Sequence, residues 1–199
     1  MKCVLGIVTV GAICAPSYGA IYRVVPAASV AEPGQVVAMR LEVETEAGDN
    51  LVGFGHFSFA IDLAISGDAG AMGSDISGIT INTAFFDDVL SNDLGMASGA
   101  MYSGVAGVTT DVLSPNQGFL IGDVVELFTF DYTVPLTATA GQSVSFTPSE
   151  GLFENLTVDD FFSPVSPQRF DRAVISVVPA PGALACLSVA GLAWHRRRS

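Results

Sequence analysis

Along the middle of the chain, apolar and polar residues alternate with a period of two. In Gln35–Thr45, Val37, Met39, Leu41 and Val43 alternate with Ala38, Arg40, Glu42 and Glu44. That pattern predicts a strand with one buried and one wet face. In Leu51–Leu63, Phe57, Phe59, Ile61 and Leu63 share a face opposite His56, Ser58, Ala60 and Asp62. In Asp123–Val134, Phe128, Phe130, Tyr132 and Val134 alternate with Thr129, Asp131 and Thr133. Shorter strands are predicted at Ile21–Val25, Ile79–Asn82, Gly118–Ile121, Ser143–Thr147 and Ala173–Val178.

Turn residues punctuate these runs: Glu32-Pro33-Gly34, Gly48-Asp49-Asn50, Ser66-Gly67-Asp68, Ser114-Pro115-Asn116 and Ala140-Gly141. One short helix is expected around Ala84–Leu90, and the Gly-rich stretch Gly95–Gly104 reads as a flexible loop. Many short strands without long crossover helices predict an all-β, antiparallel β-sandwich of jelly-roll or cohesin-like type. An N-terminal signal helix and a C-terminal apolar helix should flank it.

The two ends break the alternation. Residues 1–20 carry one positive charge at Lys2, an apolar stretch from Cys3 to Cys14, and small residues around Ser17–Ala20. This is the layout of a secretory signal peptide cleaved after Gly19 or Ala20. A lipoprotein reading at Cys14 is the alternative, with Ile13 a poor residue before a lipidated cysteine. At the other end, Gly182–Trp194 is an uncharged run of 13 residues closed by Arg196, Arg197 and Arg198. As a helix it would span about 20 Å, against about 30 Å of bilayer hydrocarbon. Pro179 and Pro181 interrupt regular structure just before it, and the arginines would remain cytoplasmic. The chain thus divides into 1–20, a domain at 21–176, and a tail at 177–199.

The tail resembles a PEP-CTERM sorting signal: Val178-Pro179-Ala180-Pro181, then the apolar run, then the arginine cluster. Ala180 stands where that signal usually carries Glu. The resemblance implies transient insertion in the inner membrane, recognition by an exosortase-type processing enzyme, and release or transfer to the cell surface. The label "ice-binding protein C-terminal domain" attaches to the same kind of tail, but no repeated Thr-x-Thr array is present in the domain.

The domain is similar to cohesin-like and related carbohydrate-binding sandwich modules. Pro33-Gly34-Gln35 precedes a strand, Val52-Gly53-Phe54 leads into Phe57–Asp62, and Gly122-Asp123 precedes Val125–Val134. No dockerin-type calcium repeat accompanies it.

Charge and chemistry narrow the function. Residues 21–178 hold four arginines, no lysine and all 20 carboxylates, a net charge of −16. A surface that acidic repels phosphate backbones, so nucleic acid is not an expected partner. The cysteines, Cys3, Cys14 and Cys186, all lie outside the domain, so no disulfide framework or cysteine metal site can form in it. Absence of lysine excludes a Schiff base and a Walker-type phosphate loop. The one histidine of the domain, His56, is expected on a strand's outer face, with no Gly-x-Ser-x-Gly elbow to pair with it.

Carboxylates remain. Asp87, Asp88 and Asp93, with Asn92, form one cluster; Asp159 and Asp160, with Glu154 and Asn155 nearby, form another. Either offers oxygen ligands suited to calcium, without the Asp-x-Asp-x-Asp-Gly spacing. Phe54, Tyr102, Phe119, Phe161 and Phe162 are candidates for an exposed aromatic platform. These features predict a non-enzymatic exported protein of the cell surface or extracellular matrix, structural or adhesive in exopolysaccharide. A carbohydrate- or calcium-dependent binding module is the alternative. A secreted hydrolase using two carboxylates in a cleft is the third reading.

Overall fold

The computed structural model describes residues 19–110, 119–157 and 162–180. They form a β-sandwich of two sheets. The strands are β1 (Ala20–Pro26), β2 (Val30–Ala31), β3 (Val36–Glu44), β4 (His56–Gly67), β5 (Ile76–Ile81), β6 (Asp93–Ser98), β7 (Met101–Val108), β8 (Val124–Thr133), β9 (Ser143–Glu150), β10 (Leu156–Thr157), β11 (Gln168–Asp171) and β12 (Ala173–Val177). The first sheet has the order β11-β1-β3-β8-β5 and the second β2-β12-β9-β4-β7-β6, with β10 beside the start of β4.

The period-two runs bury the residues they promised except Phe57, which is half-buried and faces the surface beside Phe162. Val37, Met39, Leu41 and Val43 are all at most 2 % exposed, and Phe128, Phe130, Tyr132 and Val134 likewise. They face Phe59, Ile61, Leu63, Phe146 and Ile175 of the other sheet. The layer between the sheets is aromatic: Phe59 stacks over Phe128 at 5.9 Å between centroids, and Tyr132 meets Phe146 edge-on at 4.8 Å. Gly107 lies under this layer because a Cβ there would come within 2.5 Å of the Phe59 ring.

The structure departs from the alternation at two bulges. On β8, Leu41 pairs with Phe128 but Glu42 pairs with Glu126, so Leu127 is inserted. Leu127 and Phe128 are then both fully buried. At the start of β4, His56 and Phe59 both turn inward, three positions apart, beside an irregular pairing with β10. His56 is therefore inside, not on the outer face.

Four further expectations change. The sandwich is not purely antiparallel: β1–β11 and β2–β12 are parallel pairs made at the sheet margins. Ala84–Leu90 is not a helix but a series of turns; the one helical turn among the described residues is a 3₁₀ turn at Gly73–Asp75. Gly95–Gly104 is not a flexible loop but the hairpin of β6 and β7. Its tip is the two-residue turn Gly99-Ala100, with Gly99 at φ 58°, the position a tight hairpin reserves for glycine. Of the strand expected at Gly118–Ile121, Phe119 makes a single bridge to Val52, followed by a turn at Leu120–Asp123, and Gly118 falls outside the described residues. The flanking helices and the turn at Ser114-Pro115-Asn116 fall outside the described residues. Among the described residues no helix is long and apolar enough to cross a membrane.

Candidate functional site

The two outer faces of the sandwich differ in kind. The first sheet presents a charged ladder. Arg23 donates to Glu42 at 2.6 Å and to Glu44 at 2.5 Å, and Arg40 donates to the second Glu42 oxygen at 2.9 Å. Glu42 is only 5 % exposed. Burial opposes its charge, but the hydrogen bonds from Arg40 and Arg23 outweigh that and hold its carboxyl below the usual value. On β11, Arg169 pairs with Asp171 at 3.1 Å. Three of the domain's four arginines are thus committed to this sheet.

The second sheet presents small, mostly uncharged side chains. Because Phe59, Ile61, Leu63 and Ile65 point into the core, Ser58, Ala60, Asp62, Ala64 and Ser66 point out. Their cross-strand partners continue the pattern: Val108 and Ala106 on β7, and Ser149, Thr147 and Ser145 on β9. The charge at its centre, Asp62, accepts the Gly104 N–H at 2.8 Å.

At one end of this face lies a groove of about 700 Å³, lined by Phe57, Ala60, Asp93, Val108, Phe153 and Leu156 among others. Its wall is the loop between β9 and β10. Leu152 and Phe153 on that loop are 89 % and 70 % exposed. The loop is held by Asn155, which is fully buried. Asn155 Oδ1 accepts the Ala60 N–H at 2.9 Å, and its Nδ2 donates to Gln168 Oε1 at 3.0 Å. Glu150 closes the network, accepting the Asn155 N–H at 2.8 Å and Gln168 Nε2 at 2.9 Å. The Gly151 N–H donates to Ala60 O at 2.8 Å. Exposed apolar side chains are thus carried on a polar frame whose hydrogen bonds are satisfied, and Phe162 packs on Phe57 beside it at 4.6 Å.

The residues singled out from the sequence are scattered. His56 sits among Tyr22, Phe59 and Phe86, with Nε2 3.2 Å from the Tyr22 hydroxyl. Burial lowers its pKa to about 3 and pushes the Tyr22 hydroxyl well above the usual range. A neutral imidazole sealed in the core cannot serve a substrate at the surface.

Asp87 accepts from the Thr110 N–H and hydroxyl, both at 2.7 Å, and these bonds hold its carboxyl below the usual value. Asp88 accepts from Leu90 N–H and the Ser91 hydroxyl, and Asp93 from Gly95 N–H. Each aspartate holds a different turn. Among the described residues no three His, Cys, Asp or Glu side chains converge as a metal ion would require. Asp159 and Asp160 lie outside the described residues.

Of the aromatic candidates, Phe54 and Phe162 are 49 % and 40 % exposed, Phe119 is buried, and Tyr102 packs partly against the core; Phe161 is outside the described residues. Val178 leaves β12 with its N–H on Ala31 O at 2.9 Å, and Pro179 and Ala180 follow it. Pro181 and Arg196–Arg198 are outside the described residues. The groove residues Leu152 and Phe153 escaped sequence reasoning, and Asn155, named there only beside a carboxylate cluster, instead holds the loop. Their one signal was an adjacent apolar pair set between Glu150 and Glu154, where a turn would ordinarily be polar.

Neither a protein-family model nor a curated protein matches the chain. Solved structures do. The seventh ScaB type I cohesin of Pseudobacteroides cellulosolvens superposes with a TM-score of 0.55 at 16 % identity, over 82 % of this chain and 94 % of that one. The cohesin of a cohesin–dockerin complex from Clostridium thermocellum gives 0.51 at 15 % identity, over 81 % and 96 %. The solution structure of CaCohA2 from Clostridium acetobutylicum gives 0.50 at 14 % identity, over 81 % and 92 %. At these identities the likeness is one of fold, and the fold is a cohesin-like β-sandwich.

Proposed function

We propose that this chain is a non-enzymatic, exported binding module with a structural or adhesive role at the cell surface or in extracellular exopolysaccharide. The observation that carries the reading is the contrast between the two outer faces. One carries a ladder of ion pairs. The other is flat, built of small side chains, and bordered by a groove with apolar residues held out into water, which is the usual mark of an interaction surface. The C. thermocellum relative in fold is a sandwich bound to a protein partner, a dockerin, and that supports a protein ligand here. Export rests on the signal peptide at 1–20 and on the PEP-CTERM-like tail, Val178–Pro181 with Arg196–Arg198. An exosortase-type enzyme would act on that tail after its brief residence in the inner membrane.

The test is the intact mass and location of the protein from its native cells. The expected species begins near Ala20, ends near Val178–Pro181, is found outside the cytoplasm, and has lost Trp194, the only tryptophan. A mass running from Met1 to Ser199 in the cytoplasm would overturn the reading. A carbohydrate ligand is favoured by one observation, the exposed Phe153 and Phe162 beside Asp93 and Glu154. It would show as retention on purified exopolysaccharide that is lost in Phe153→Ser.

A further inference from the structure

We propose that the end of the sandwich from which the tail departs rests on the surface of a lipid bilayer, while the groove at the other end faces away from it. This rests on the reading of the tail as a membrane-inserted segment. The chain leaves the domain at a fixed point. β12 ends at Val177, whose N–H donates to Gln142 O at 2.8 Å and whose O accepts the Gly141 N–H at 2.9 Å. The Val178 N–H is bound to Ala31 O at 2.9 Å. Three residues, Pro179, Ala180 and Pro181, then separate Val178 from the apolar run that begins at Gly182.

That separation is short on the scale of a bilayer. Four Cα steps reach at most about 14 Å, and two prolines in three residues favour a stiff, extended form of about 3.1 Å per residue. The polar headgroup layer on one side takes up about 5–7 Å of that reach. The run of 13 residues, about 20 Å long as a helix, also falls about 10 Å short of the hydrocarbon thickness. With Arg196–Arg198 held at the far interface, the shortfall draws the prolines inward or thins the bilayer. Val178 is thereby brought to the level of the headgroups, and the residues around it meet lipid.

Those residues suit the contact. Beside the exit lie two turns, Glu32–Gln35 and Thr139–Gln142, and each closes on itself. The Glu32 N–H donates to Gln35 Oε1 at 3.0 Å, and the Thr139 N–H to Gln142 Oε1 at 2.6 Å. Leu136, 84 % exposed, lies over Gly34, where an added Cβ would come within 2.8 Å of its Cδ2. Val36 and Val30, 55 % and 51 % exposed, extend the apolar rim. The domain's four arginines are elsewhere: Arg23, Arg40 and Arg169 hold ion pairs on the first sheet, and Arg172 precedes β12 at the end away from the exit. The contact is therefore apolar and needs no anionic lipid. The groove lies at the other end, because β9 runs from Ser143, paired with Ser176 near the exit, to Glu150 at the start of the groove loop, about 24 Å of strand.

The test uses the chain secreted by a host without a tail-processing enzyme, so that residues 1–20 are removed and the tail is kept. It is reconstituted into phosphatidylcholine vesicles whose acyl chains are brominated near the carbonyl, which quenches tryptophan in the membrane. Trp194, the only tryptophan, reports on the tail in the native sequence. Two variants move the reporter. W194F/L136W places it at the exit, and W194F/L120W places it in the turn before β8, at the other end, where Leu120 is 71 % exposed. An unchanged melting temperature in both establishes that these surface changes leave the fold intact. Emission at position 136 should be quenched at least about threefold more strongly than at position 120. Quenching of Trp194 without quenching at 136, or equal quenching at 136 and 120, would overturn the proposal while leaving the tail in the membrane. An unquenched Trp194 would overturn the membrane reading of the tail and this inference with it.

Discussion

His56 shows how one buried group sets an acid limit. Its pKa is lowered to about 3 by burial, whereas an unfolded chain titrates it near 6.5. Above pH 6.5 both states are neutral, and the histidine leaves stability independent of pH. As pH falls from 6.5 toward 3, the unfolded state takes up a proton that the folded state refuses. Stability should then drop by about 1.4 kcal/mol per pH unit from this residue alone. In His56→Gln, which keeps a hydrogen-bonding group for Tyr22, the fall in melting temperature between pH 6.5 and 5 should flatten. An unchanged slope in that variant would show that His56 is not the titrating group.

Among the elements, the loop between β9 and β10 matters most, because it interrupts an edge of β4 and makes the groove wall. Asn155 replaces a strand partner there: its side chain takes the Ala60 N–H that an unbroken ladder would have taken. Asn155→Ala leaves that amide and Gln168 Oε1 with fewer partners in a buried place. We expect a loss of about 2 kcal/mol and rapid hydrogen exchange at Ala60. Protection at Ala60 equal to wild type would mean that the loop is held by other contacts. The hairpin of β6 and β7 teaches a related point. Its glycines read as looseness in the sequence, yet Gly95 and Gly104 sit at positive φ within paired strands. Gly104 lies opposite the register shift at Ile61–Leu63 of β4, and Gly95 lies in the unshifted β6–β7 ladder, where a Cβ would come within 2.6 Å of Ser103 O.

Over the whole molecule, the net charge of −16 on residues 21–178 is a uniform cost. Ion pairing relieves it on the first sheet, through Arg23, Arg40 and Arg169. Elsewhere the carboxylates repel one another through solvent. Raising salt from about 0.05 to about 0.5 M shortens the screening length severalfold, and should raise the melting temperature by roughly 2–5 °C. A fall with added salt would mean that the arginine network outweighs the general repulsion.

The sequence by itself determined the sandwich, the strands that build its core, the acidity, and the layout of both ends. Each of these is a local pattern: side-chain alternation with a period of two, or a run of one kind of residue. The exceptions have a common physical cause. Leu127 and His56 turn inward because a bulge shifts the alternation, and a bulge depends on the neighbouring strand's register. The parallel strands β2 and β11 are too short to carry a period and exist only because β12 and β1 lie beside them. Asp87, Asp88 and Asp93 are close in sequence but hold separate turns, while Gly73 and Gly99 are distant in sequence and meet backbone to backbone. Which outer face carries the arginine–carboxylate ion pairs, and which carries small side chains, was decided by the pairing of strands in three dimensions, because only that pairing sets one side chain against another.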